Sequence, residues 1–234
     1  MKKAFTLAEV GTHIAMSSKK QSFGFTLAEV LITLGIIGVV AAITMPTLIQ
    51  NYKKQVYVNQ LKKTVSMLEQ GFQKMMADEG VEKLTDLSYW DEQHYYNAWT
   101  RDGDAASIVN DILTNGFKVN FNKVDNYSQY IANAVGSYAD REDGYNNLIQ
   151  FADSSAMVAT QLWYTGDNSR IADFIIDVNG PKGPNKAGRD LFIFILSNKG
   201  KLSTPSWFGC SDSDENDRLG CAKRIIENGW KMDY

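Results

Sequence analysis

Apolar and polar positions divide the chain into stretches of different rhythm. Residues 1–24 are short and polar, with no aspartate. From Leu31 to Ile49 no charged residue occurs, and the run from Val30 to Ile49 is about twenty residues long. At ~1.5 Å rise per residue a helix of that length spans ~30 Å, the thickness of a bilayer's hydrocarbon core. Beyond it, Val58, Leu61, Val65, Leu68, Phe72 and Met75 recur at alternating spacings of three and four, while Lys62, Lys63, Glu69, Gln70 and Lys74 take other faces. That is the stripe of an amphipathic helix. The two patterns together predict one helix from about Phe25 to about Asp78, ending near Gly80. Its first half is apolar all round and its second half one-sided. A coiled coil is the rival for the stripe, but three heptad turns are marginal for one.

After residue 80 the rhythm loosens. Residues 81–145 are rich in Asp, Asn, Tyr and Gly, and only Ala105, Ile108, Val109, Ile112 and Leu113 read as a short amphipathic helix, closed by Gly116. Tyr95, Tyr96, Trp99, Tyr127, Tyr130 and Tyr138 read as half-buried surface cover, not as a sugar-stacking site. From Asn147 the period becomes two. Residues 148–151 and 156–163 flank Ala152-Asp153-Ser154-Ser155 as a hairpin. Strands follow at 171–178 and 190–196, separated by a loop rich in Gly, Pro and Asn, and a last short strand follows the turn Asn198-Lys199-Gly200-Lys201. The sum is an antiparallel sheet of about four strands with one face to cover, and the stem's stripe is the natural cover. The fold class expected is α+β. Ala222 to Asn228 reads as a short basic helix stopped by Gly229, with Trp230 docking the C-terminus.

Composition narrows the function. The chain of 234 residues has a formal net charge of −3. Residues 1–24 hold Lys2, Lys3, Lys19 and Lys20 against the single acid Glu9, so the remainder carries −6. An acidic body of this kind does not displace counterions from nucleic acid. Cys210 and Cys221 do not form a CxxC pair, and no histidine stands near to complete a zinc site. In an exported chain they read as a disulfide closing a short loop. Only His13 and His94 exist, and no G-x-S-x-G, H-E-x-x-H or phosphate-cradling loop occurs. A membrane-anchored periplasmic enzyme would need His94, in the loop-like Trp90-Asp91-Glu92-Gln93-His94; the chain is read as no enzyme.

One acid interrupts the greasy stretch. Glu29 stands at its edge, where an unpaired carboxylate is costly in lipid. Around it, Gly24-Phe25-Thr26-Leu27-Ala28-Glu29-Val30 and the uncharged run behind it resemble the cleavage and methylation signature of type IV prepilins and type II secretion pseudopilins. An earlier echo, Ala4-Phe5-Thr6-Leu7-Ala8-Glu9-Val10, leads into polar residues and cannot insert, so the second copy is taken as the working one. The first copy reads as a duplicated leader fragment or a misassigned start. The resemblance implies removal of residues 1–24 by a prepilin peptidase at Gly24–Phe25, N-methylation of Phe25, and neutralisation of a neighbouring subunit's terminal amine by Glu29. An ordinary secretory signal cut at Val40-Ala41-Ala42 is the competing reading; against it, the apolar run continues to Ile49. Pro46 removes one backbone hydrogen bond and should bend or stretch the stem locally. Gly35, Gly38 and the Ala41-Ala42 pair leave room for close helix contacts. Lys19 and Lys20 are nearly matched by Lys53 and Lys54, so charge alone does not orient the span.

The organisation expected is therefore a leader (1–24), a transmembrane and assembly segment (25–50), an amphipathic stem (51–80) and a pilin-like head (81–234). The function implied is a structural filament subunit of a type II secretion pseudopilus or a type IV pilus. It would be held in the bacterial inner membrane with a periplasmic head, and its partners are copies of itself, other pilin-like subunits, the peptidase/methyltransferase, inner-membrane assembly machinery and lipid. A minor pilin with a ligand-binding head is the alternative. No cofactor and no metal site is assigned. Asp177, Asn179, Asn185 and Asp190 could hold calcium, but such runs are above all turn formers. Asp212, Asp214, Glu215 and Asp217 within the cysteine ring are a second calcium candidate of the same kind.

Overall fold

The computed structural model of the protein describes residues 24–88, 148–162, 170–211 and 217–234. The proposed helix at 105–113, the tyrosine group, His94, the first leader copy and Asp212, Asp214 and Glu215 lie outside these residues. Helix α1 runs Leu27–Glu79 and passes through Pro46. Two compact units divide between Thr47 and Leu48.

In the first unit the apolar side chains of α1 are open to the surroundings. Leu31, Leu34, Ile36, Val39 and Ile43 are all more than half exposed. The hydroxyls in this stretch bond within the helix: Thr33 Oγ1 donates to the Glu29 carbonyl at 2.8 Å and Thr44 Oγ1 to the Val40 carbonyl at 2.9 Å. Bonded in this way, the hydroxyls of Thr33 and Thr44 ask for no partner outside the helix.

In the second unit the rest of α1 buries one stripe, Val58, Leu61, Thr64, Leu68, Phe72, Met75 and Met76. This differs from the expected set at two places, since Met76 joins it and Thr64 takes the place of Val65. Thr64 is enclosed, and Val65 is half-buried against the same core. Positions 64 and 65 straddle the stripe, and the surface they meet, not the helical period, decides which is covered more. The helix ends where its glycine allows it to. Gly80 adopts φ +68°, the Val81 amide donates to Met76 O at 3.0 Å and the Gly80 amide to Ala77 O at 3.3 Å. This pair of bonds is a Schellman termination, which the left-handed glycine makes possible.

The sheet has five strands in the order β1 (Leu148–Gln150), β2 (Ala156–Leu162), β3 (Ala172–Asp177), β4 (Leu191–Leu196) and β5 (Leu202–Ser203). Each pairs antiparallel with the next, and the fifth is the short strand expected after the turn at 198–201. Phe174 faces Phe194 and Ile176 faces Phe192 across β3 and β4, in one buried cluster with the α1 stripe. Phe72 stacks on Phe174 with ring centroids 6.3 Å apart. The expectation of one covered face is too modest. The alternate residues Ile175 and Ile193, which point to the opposite face, are also buried.

Polar side chains of α1 hold the sheet edge. Glu69 Oε1 accepts the Leu202 amide at 2.9 Å, and Gln73 Nε2 donates to Lys199 O at 2.6 Å. Gly200, at φ +67°, lies so close to α1 that a Cβ there would come within 2.9 Å of Phe72 Cβ. At the C-terminus, helix α2 (Cys221–Glu227) buries Cys221, Ala222 and Ile225 and ends at Gly229 with a second Schellman pair. Lys62 Nζ lies 5.6 Å from the centre of the Trp230 ring, so the chain end, expected to dock on the head, meets the stem helix. The expected α+β layout is present: a long N-terminal helix with its second half packed on a small antiparallel sheet.

Candidate functional site

The site begins at the start of α1. Gly24, Phe25 and Thr26 are non-helical, and Phe25 is 88 % exposed, so the Gly24–Phe25 bond lies in accessible chain just ahead of the helix. Thr26 and Glu29 then satisfy each other's backbone. The Thr26 amide donates to Glu29 Oε2 at 2.8 Å, the Thr26 hydroxyl donates to the same oxygen at 2.8 Å, and the Glu29 amide donates to Thr26 Oγ1 at 3.3 Å. This is a capping box, in which an N-cap threonine and the acid three residues on satisfy donors that the first helical turn leaves without partners. The T-x-x-E spacing ahead of an apolar run is legible in the sequence, yet the reading above gave Glu29 only an intermolecular role. Here it caps its own helix.

Around Gly35 and Gly38 the chain leaves open space: a methyl group at either would meet nothing within 4 Å. Nothing in the protein's own packing requires glycine at these positions. Pro46 lies inside the helix at the last turn of the first unit.

At the far end of the chain Cys210 and Cys221 are disulfide-bonded, with Cα atoms 4.5 Å apart. Asp217 is turned to local use, its carboxylate accepting the Gly209 amide and, at 3.1 Å, the Ser211 amide. A cavity of about 220 Å³ beside the disulfide is lined by Lys54, Arg189, Arg218, Arg224 and Tyr234. Arg224 pairs with Asp233 at 2.7 Å, and Tyr234 OH donates to Gly188 O at 2.7 Å.

The β3–β4 loop brings together all four residues named as oxygen donors. Asp177 closes β3 and Asp190 precedes β4, and both are fully buried. Asp177 Oδ1 accepts the amides of Asn179 (3.1 Å) and Gly180 (2.8 Å). Asp190 accepts those of Asn185 (2.8 Å) and Lys186 (2.7 Å). The turn reading therefore holds for the backbone. Gly180 is irreplaceable there, since at φ +62° its Cβ would stand 2.1 Å from Ser154 O. Burial, and after it the charge of Asp190, pushes the Asp177 carboxyl up to about 8. Burial also raises Asp190 against the pull of its amide donors. Among the described residues no group of three or more His, Cys, Asp or Glu is arranged to hold a metal.

Residues 19–45 match the family model described as the prokaryotic N-terminal methylation motif. The match contains the second leader copy, its glycine and glutamate, and most of the apolar run; the echo at 4–10 lies outside it. No curated protein and no solved structure matches the chain. With the exposed Gly24–Phe25 bond, the capped helix start and the bare apolar run inside that segment, the chain carries the N-terminal methylation motif that is the signature of type IV prepilins and pseudopilins.

Proposed function

We propose that the protein is a structural filament subunit of a type II secretion pseudopilus or a type IV pilus, with the pseudopilus slightly favoured. It is stored in the bacterial inner membrane with its second unit in the periplasm. A prepilin peptidase cuts Gly24–Phe25 and methylates the new amine of Phe25. The subunit then leaves the membrane by packing its stem against other stems, a head-to-tail contact that does not close on itself.

One observation carries this reading. The methylation motif coincides with a helical segment whose apolar side chains are exposed, so something outside the chain must cover them. Lipid does so before assembly and neighbouring stems do so after. The open space at Gly35 and Gly38 suits the second partner, because small residues let helices approach closely. The disulfide suits an oxidising compartment.

Glu29 links the two states. Its two side-chain bonds to Thr26 both use Oε2, and Oε1 takes no bond among the described residues. That oxygen can accept the methylated amine of a neighbour while Oε2 keeps the cap. A desolvated charge pair of this kind removes much of the penalty of a lone carboxylate in lipid. Pro46 supplies a position where the stem can bend, since its residue cannot donate to the helix ladder.

The test is immunogold labelling of filaments from cells carrying the protein. Labelling along the shaft is expected. Labelling confined to the tip would make it a minor subunit, and labelling of membranes without filaments would defeat the reading.

A further inference from the structure

We propose that, given the membrane anchoring read above, the cationic cavity beside the disulfide binds the headgroup of an anionic phospholipid. The cavity, of about 220 Å³, is lined by Lys54, Arg189, Arg218 and Arg224, and no Asp or Glu among the described residues lines it. Four cations around one space repel one another, and they stand in a chain that is acidic as a whole. Two of them are held in place. Arg224 pairs with Asp233 at 2.7 Å, and Arg218 Nε donates to Ser211 O at 3.3 Å. No ion pair joins Lys54 or Arg189 to another described residue. A phosphodiester supplies the negative charge that this set lacks. Arginine suits it, because the planar guanidinium matches phosphate oxygens in pairs, while lysine meets them as a point charge.

The place of the cavity on the stem selects the source of the phosphate. Lys54 lies five residues beyond Ile49, the last residue of the apolar run, on the same helix and in the same compact unit. At ~1.5 Å per residue it stands about 7–8 Å past the end of that run. Each headgroup layer of a bilayer is about 5–8 Å thick. With the run across the hydrocarbon core, Lys54 is therefore level with the lipid phosphates. Tyr52, which is 67 % exposed, and the exposed Lys53 next to it are residue types that anchor a helix at that level.

Charge then selects the lipid class. A zwitterionic headgroup brings an ammonium along with its phosphate, and the four cations repel it. A headgroup of net negative charge carries no such penalty. The contact ties the second unit to the bilayer surface while the subunit is stored, and it is broken when the stem leaves the lipid.

The test uses the full chain in neutral detergent, given an equimolar mixture of phosphatidylglycerol and phosphatidylcholine with the same acyl chains. Native mass spectrometry reads the ratio of the two lipids retained. A preference for phosphatidylglycerol of about tenfold or more is expected. Lys54→Gln and Arg189→Gln should each lower it about fivefold, the worth of one basic residue at an anionic membrane surface. Lys74→Gln removes the same charge about 30 Å farther along α1 and should leave the preference unchanged. Equal retention of the two lipids would overturn the proposal. So would equal losses in Lys54→Gln and Lys74→Gln, which would leave only the overall charge. Displacement of the lipid by inorganic phosphate, at an ionic strength matched with chloride, would make the occupant a free anion and overturn the lipid assignment. Flotation of the same chain with phosphatidylcholine vesicles checks the membrane reading separately. A chain that floats but shows no preference defeats the lipid site alone, whereas one that does not float defeats the membrane reading itself.

Discussion

The two halves of α1 are built from similar side chains and meet opposite surroundings. Leu34 and Ile36 in the first unit are 60 % exposed, whereas Leu61 and Leu68 in the second are 0 % exposed. One helix thus holds leucines that do nothing for the folded body and leucines that the body cannot lose. The difference is in pattern, not composition. Between residues 30 and 49 every face is apolar, so no single packing partner within the chain could cover it. Between 58 and 76 the polar positions alternate with the stripe and also do structural work, as Glu69 and Gln73 hold the edge of the sheet. A helix that is apolar all round asks for a surrounding medium, and a one-sided helix asks for a surface.

The sharpest way to break this contrast is at its charged threshold. Glu29→Ala is expected to abolish incorporation into filaments while cleavage at Gly24 continues, read by counting filaments and by the mobility of the processed form. Normal filaments from that variant would remove Glu29 from assembly. Next in size is a paired substitution along the helix. Phe72→Ala deletes a ring that is 0 % exposed and stacked on Phe174, and should lower unfolding stability by about 3–5 kcal/mol. Leu34→Ala should leave the melting of the second unit unchanged. Equal effects of the two would erase the distinction between the halves.

A smaller effect of opposite sign is expected within the stripe. Thr64 is 1 % exposed and its hydroxyl oxygen has no partner among the described residues. Thr64→Val keeps the shape, removes the orphan and should raise stability by about 1 kcal/mol in thermal or denaturant unfolding. The smallest effect lies at the surface, where Lys63 Nζ meets Asp153 Oδ2 at 2.9 Å. Burial pulls Asp153 upward, but Lys63 and the two bonds from Ser155 outweigh it and hold the carboxyl below its usual range. A depressed carboxylate stabilises above its unfolded pKa and loses that contribution as the pH falls through its folded one. Lys63→Ala should therefore cost about 0.2–1 kcal/mol at pH 7, with the difference from the natural chain shrinking below about pH 4.

What the sequence discloses follows from how local each feature is. The ends of α1 are legible because Gly80 is the residue a left-handed stop requires, and the strand limits because alternation changes at Gly, Asp and Asn. The capping box of Thr26 and Glu29 is equally local and was within reach of its spacing. Burial of Ile175 and Ile193 on the far face of the sheet is not local: it depends on what covers that face. Nor could the order of Thr64 and Val65 be read, since helical period places both beside the stripe. The donors Asp177, Asn179, Asn185 and Asp190 are visible as residues. That both carboxylates are buried and both amide oxygens lack partners emerges only when β3 and β4 pair and close the loop between them.

The account stands on the apolar half of α1 being kept in the mature protein, as the methylation motif requires. Intact-mass and N-terminal fragment spectrometry of the protein, purified from cells with a working prepilin peptidase, tests this directly. The mature chain should begin at Phe25 with a methylated amine. A chain that retains residues 1–24, or one that begins after Ala42 and so has lost most of the apolar run, would contradict it.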